Sequence, residues 1–242
     1  MKSTAYEDPA LALELPMTAT CQEFSKDYDI IVDGSVFGDN VTLQICFMNG
    51  KPSVLKNVTL NEFNRVQALL EAKIKHEHIV ELAPISLHHK IFIVMPLLPI
   101  TLASLSGIPE KKAIELWDQI GSALDCLHSH GFAHKDVKPD NICIDSNGRF
   151  ILIDMGDTVP LDTYSGSTRL FVPSDLDGSE PATEMIDWGM LALTVFDRMQ
   201  DDCCGVSLTQ KKLSTTNLLD WFEEKHFTLL YNRMAGKFLV KG

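Results

Sequence analysis

An α+β fold in two unequal parts is what the sequence predicts, and three observations carry that expectation. Residues 29–58 read as short strands separated by Gly and Asn turns. Residues 110–131 and 185–199 carry long apolar patterns at helical spacing, and the strands are gathered ahead of most of the helices instead of alternating with them. With 242 residues, 45% of them apolar, the chain has the material for a substantial core.

The elements follow in order. Residues 1–28 are mixed in character, with Pro9 and Pro16, and are expected to form an N-terminal extension. The runs DIIV, VTLQICF and PSVLKNV, separated by Gly34, Gly38 and Asn49-Gly50, predict a meander of about three strands. Phe63, Val66, Leu70 and Ile74 then recur at helical spacing, predicting a helix over 60–75 with Thr59 and Asn61 as N-cap candidates. Two apolar runs around His88-His89-Lys90 predict an antiparallel pair within 79–98. After Pro99 the pattern changes. Pro109 lies near a helix start, Ala113, Leu116, Trp117, Ile120, Leu124 and Leu127 form its apolar face, and Gly131 stops it. The runs NICID and RFILID flank Asn147-Gly148 as a hairpin. Residues 157–183 are polar and should form a long loop; 185–199 should be a buried helix, and 216–235 one or two more.

Composition narrows the function classes. A formal charge of -12, from 33 acidic and 21 basic residues, argues against nucleic-acid backbones and anionic membrane surfaces and favours a neutral or basic protein partner. The cysteines at 21, 46, 126, 143, 203 and 204 form no CxxC pair, and no His cluster has zinc-ligand spacing. Their low density predicts reduced thiols in a cytoplasmic or nuclear protein. The start shows no basic segment followed by an apolar block, and no apolar run approaches the ~18 residues of a membrane span.

The chemistry is concentrated in His134-Lys135-Asp136-Val137-Lys138-Pro139-Asp140-Asn141 and in Ile153-Asp154-Met155-Gly156. Moving a phosphoryl group requires a carboxylate to take the proton of the incoming hydroxyl, and cations to neutralise the phosphates. Asp136 suits the first task and Lys138 supplies positive charge beside it. Asn141 and Asp154 offer the hard oxygens that Mg²⁺ prefers. The two segments resemble the H-R-D-x-K-P-x-N catalytic loop and the D-F-G metal motif of eukaryotic-type protein kinases. Lys135 keeps the charge of the usual Arg but not its fork, and Met155 fills the Phe position with an unbranched apolar side chain.

That resemblance spans roughly residues 30–200 and implies a bilobal kinase-like fold. It implies a small, mostly β N-lobe with one helix over 29–98 and a shortened, mostly α C-lobe over 99–242. It also implies ATP and Mg²⁺, with Lys56 of Val54-Leu55-Lys56 on the α- and β-phosphates. Gly34, Gly38 and Val41 stand for a Gly-rich loop that departs from G-x-G-x-x-G. Met95 takes the gatekeeper position, with Pro96 and Leu98 as the adenine hinge. Counting back from His76-Glu77-His78-Ile79-Val80, the carboxylate partner of Lys56 falls near Gln67, with Glu71 favoured over Glu62. Pro173-Ser174 resembles the end of the A-P-E segment, with Ser174 where a Glu anchor is expected. Asp187-Trp188-Gly189 resembles the start of the helix whose Asp caps the catalytic loop. Lys138-Pro139 follows the Ser/Thr type. Three functions follow in order of fit: an Mg·ATP-dependent Ser/Thr kinase acting on protein, an inactive pseudokinase serving as a scaffold, and a kinase-fold enzyme acting on a small molecule.

Overall fold

The computed structural model describes residues 30–36, 43–87, 90–164, 171–176, 181–200 and 213–239. The chain divides into two compact units, one formed by Met1–Asn64 with Glu81–Leu97, the other by Arg65–Val80 with Leu98–Gly242.

The first unit is built on a five-stranded antiparallel sheet of β1 (Ile30–Val36), β2 (Leu43–Met48), β3 (Lys51–Asn57), β4 (Ala83–Leu87) and β5 (Lys90–Pro96), in the order β1-β2-β3-β5-β4. Asn49 (φ 51°) and Gly50 (φ 71°) turn β2 into β3. A two-residue turn with both central φ values positive matches the twist of the flanking strands, and Asn-Gly tolerates it. Register then follows, with Met48 opposite Lys51 and Leu43 opposite Lys56. One face closes over Ile30, Cys46, Leu55, Ile85, Phe92 and Val94. Burial pushes the Cys46 thiol up to about 11.

Helix α1 (Leu60–Glu71), which begins in the first unit and ends in the second, starts where Thr59 Oγ1 accepts the Glu62 N–H at 3.2 Å. It ends earlier than the periodicity suggests. Lys73 (φ 58°) turns left-handed, its N–H reaching the Leu70 carbonyl while the Ile74 N–H reaches Leu69, the double bond of a Schellman stop. Ile74 is buried beyond the helix, and Leu69 takes the apolar face expected of Leu70, which is 38% exposed.

The second unit is mostly helical, with α2 (Glu110–Ser129), α3 (Glu184–Met199), α4 (Thr215–Glu224) and α5 (Thr228–Phe238). α2 and α3 approach so closely that a Cβ on Gly121 would lie 2.9 Å from the Trp188 ring. Trp117 packs on the same indole, and the Lys237 ammonium stands 3.6 Å over it. Short strands decorate the helices: β7 (Phe132–Ala133) pairs with β10 (Val159–Pro160), and β6 (Ile100–Thr101) joins the β8 (Ile142–Ile144) and β9 (Phe150–Leu152) hairpin. Among the described residues Cys46, Cys126 and Cys143 are free thiols, and no helix is long and apolar enough to cross a membrane.

Candidate active site

The catalytic-loop residues are held from below by α3. Asp187, in its first turn, is fully buried and accepts the backbone N–H of His134 at 2.7 Å and of Lys135 at 2.8 Å. Those bonds hold Lys135 at φ 67°, a region that costs a residue with a Cβ about 1–2 kcal/mol. His128, near the end of α2, adds a ring nitrogen at 2.9 Å from Asp187 Oδ2. The buried carboxylate therefore meets three donors, which is what a charge removed from water requires.

Above this support the functional side chains converge. Lys138 Nζ donates to Asp136 Oδ2 at 2.7 Å, and Asn141 Nδ2 donates to the same oxygen at 2.6 Å and to the Asp136 carbonyl at 2.9 Å. Both of these bonds of the Asn141 carboxamide leave through Nδ2. His134 links the two motifs. Its Nδ1 accepts the Asp136 N–H at 3.2 Å, which puts the proton on Nε2, 3.2 Å from the Ile153 carbonyl. The Ile153 N–H returns to the Asn141 carbonyl at 2.9 Å. Asp154 follows in the left-handed region (φ 56°, ψ 71°), with Oδ1 accepting the Gly156 N–H at 3.4 Å. Asp136, Lys138, Asn141 and Asp154 thus belong to one hydrogen-bonded assembly of two short segments.

Most of the other expected site residues belong to the first unit. Lys56 lies in β3 opposite Ile93, and its Nζ donates to Glu62 Oε1 at 2.7 Å, both side chains being mostly buried. The partner is therefore Glu62, not the favoured Glu71. At ~100° of rotation per residue, Glu71 lies about half a turn round the helix from Glu62, and Gln67 is nearly as far round. Both are exposed. Met95 and Pro96 close β5, opposite Val54 and Ser53. Leu98 follows in the second unit. Gly34 lies within β1; Gly38 and Val41 lie outside the described residues.

Two features have no counterpart in the sequence expectations. Arg65 Nη1 donates to the Gly156 carbonyl at 2.6 Å and meets Asp157 Oδ1 at 3.3 Å. The segment at Pro173 is anchored despite Ser174. Asp175 accepts the Thr215 N–H at 2.8 Å and the Thr215 hydroxyl, the Ser174 N–H bonds the Leu213 carbonyl, and Pro173 and Leu176 pack against Gly189. Asp175, one position after Ser174, thus sits at the N-terminus of α4, which favours negative charge.

The protein kinase domain family matches residues 48–197, more than half of the chain, and the chain belongs to that family. It is 30% identical over 150 residues to the probable serine/threonine-protein kinase FMP48 of Saccharomyces cerevisiae, spanning 54% of this chain and 40% of that one. It is 37% identical over 127 residues to Rho-associated protein kinase 1 of Homo sapiens, spanning 46% of this chain and 9% of that one. The chain thus spans less than half the length of these relatives. The solved structure of the Cydia pomonella granulovirus kinase PK-1 superposes with a TM-score of 0.63 at 18% identity, over 76% of this chain and 72% of that one, a likeness of fold.

Proposed function

We propose that the chain transfers the γ-phosphoryl group of Mg·ATP to Ser or Thr hydroxyls of protein substrates, with 29–242 as the catalytic domain and 1–28 as an extension. The observation that carries this reading is the assembly in which Asp136 Oδ2 receives both Lys138 Nζ and Asn141 Nδ2. Asp136 takes the proton of the acceptor hydroxyl as its oxygen forms a bond to phosphorus and the bond to the ADP oxygen breaks. Lys138 offsets negative charge on the transferring group. Lys56, oriented by Glu62, holds the α- and β-phosphates, while Met95, Pro96 and Leu98 border the adenine.

Among the described residues no three His, Cys, Asp or Glu side chains gather into a metal site. A resident metal is not needed: Mg²⁺ is commonly held by one or two protein oxygens and the phosphates it arrives with. Asn141 Oδ1 and the Asp154 carboxylate fit that role, and the ion would neutralise phosphate charge and align the leaving group. Lys138-Pro139 supports Ser/Thr acceptors, the net charge of -12 supports neutral or basic proteins as substrates, and the low cysteine density supports a cytoplasmic or nuclear setting.

The test is transfer from γ-labelled ATP to the chain itself and to a basic Ser/Thr protein, followed by phosphoamino-acid analysis, with Asp154→Ala as control. Mg²⁺-dependent label on Ser or Thr, lost in Asp154→Ala, is the expected result. Absence of both label and nucleotide binding in folded wild type would favour the scaffold reading instead.

A further inference from the structure

We propose that Arg65 is a positioning residue for the turn Asp154-Met155-Gly156, setting the Mg²⁺ requirement of nucleotide binding, a role that rests on the Mg·ATP reaction proposed above. Two of the turn's own hydrogen bonds are long. Asp154 occupies a backbone region that side chains with a Cβ avoid, its carboxylate accepts the Gly156 N–H at a long 3.4 Å, and the Thr158 N–H reaches the Met155 carbonyl at 3.2 Å. Against these, the Arg65 bond to the Gly156 carbonyl is short, at 2.6 Å, and charge-assisted. Gly156 is thereby committed at both ends, its carbonyl to Arg65 and its N–H to the Asp154 carboxylate.

The neighbouring ion pair is a minor partner. Asp157 is 54% and Arg65 32% exposed, so their contact at 3.3 Å is screened by water. The guanidinium acts chiefly through the carbonyl, and it lies three residues after Glu62 on the same half-buried edge of α1.

The full chain is titrated with a fluorescent ATP analogue in EDTA and at rising Mg²⁺, as wild type, Arg65→Met, Arg65→Lys and Asp157→Asn. Arg65→Met, which keeps length but no donor, should raise the Mg²⁺ needed for half-maximal binding about tenfold, the scale of one charge-assisted hydrogen bond, and leave binding in EDTA unchanged. Arg65→Lys should give a smaller rise, and Asp157→Asn almost none. An unchanged Mg²⁺ requirement in Arg65→Met overturns the proposal. So does equal weakening with and without Mg²⁺, or the full effect in Asp157→Asn. Should Arg65→Met not fold, an unchanged requirement in Arg65→Lys overturns it alone. Failure of the parent reading is distinct: wild type itself then shows no Mg²⁺-dependent nucleotide binding, and both fall together.

Discussion

Lys56 pairs with a carboxylate only six residues away, on the first turn of the helix that follows its strand. Spacing taken from a family motif pointed further along, to Gln67 or Glu71, because it presumes a helix of ordinary length and phase. The burial phase of α1 decides otherwise: Glu62 and Arg65 fall on its half-buried edge, and Gln67 and Glu71 on its exposed face. Glu62→Ala should therefore raise the KM for Mg·ATP about tenfold, the scale of a lost charged hydrogen bond, with Glu71→Ala near wild type. Steady-state kinetics at varied ATP checks this, and the reverse pattern would restore Glu71 as the partner. Asp136, Lys138, Asn141 and Asp154 were legible because they sit a few residues apart in two short segments, where sequence spacing nearly fixes spatial spacing. Arg65, His128 and Asp175 were not, since each acts on a group remote in sequence and none belongs to a recognisable pattern.

At the scale of elements, strands and helices were legible where periodicity runs between clear punctuation. Asn49-Gly50 and Asn147-Gly148 marked their hairpins, and Gly131 (φ 81°) marks the end of α2. The end of α1 was misjudged because its stop residue is Lys73, a side chain that gives no signal for the left-handed turn it adopts. The segment at Pro173 was expected to lack its anchor, yet three contacts retain it, one of them the packing of Pro173 and Leu176 on Gly189. A Cβ on Gly189 would fall 2.6 Å from Leu176 Cδ1 and 2.9 Å from Pro173 Cδ. Overpacking of this kind costs about 1–3 kcal/mol. Gly189→Ala should thus lower the thermal midpoint by roughly 2–12 °C, whereas Gly236→Ala in α5, with nothing within 4 Å, should raise it slightly. Calorimetry of the two variants side by side checks the sign of each.

The whole molecule joins a sheet-based unit carrying Lys56 and Glu62 to a helical unit carrying Asp136, Lys138, Asn141 and Asp154. The α+β class was legible from the segregation of strands and helices, and the family from two motifs within the second unit. Of the proposed acceptor the sequence offers only a charge expectation, drawn from the net charge of -12, because periodicity does not encode surface shape. The central claim is that these residues perform phosphoryl transfer and do not merely retain a binding fold. It is tested most directly by measuring Mg·ATP affinity and single-turnover transfer on the same preparations of wild type and Asp136→Asn. A general base contributes about 10²–10⁴-fold to rate, so transfer should fall by at least about a hundredfold in Asp136→Asn while Mg·ATP affinity stays near that of wild type. Equal transfer by both proteins, or none by a wild type that binds Mg·ATP, would contradict the account.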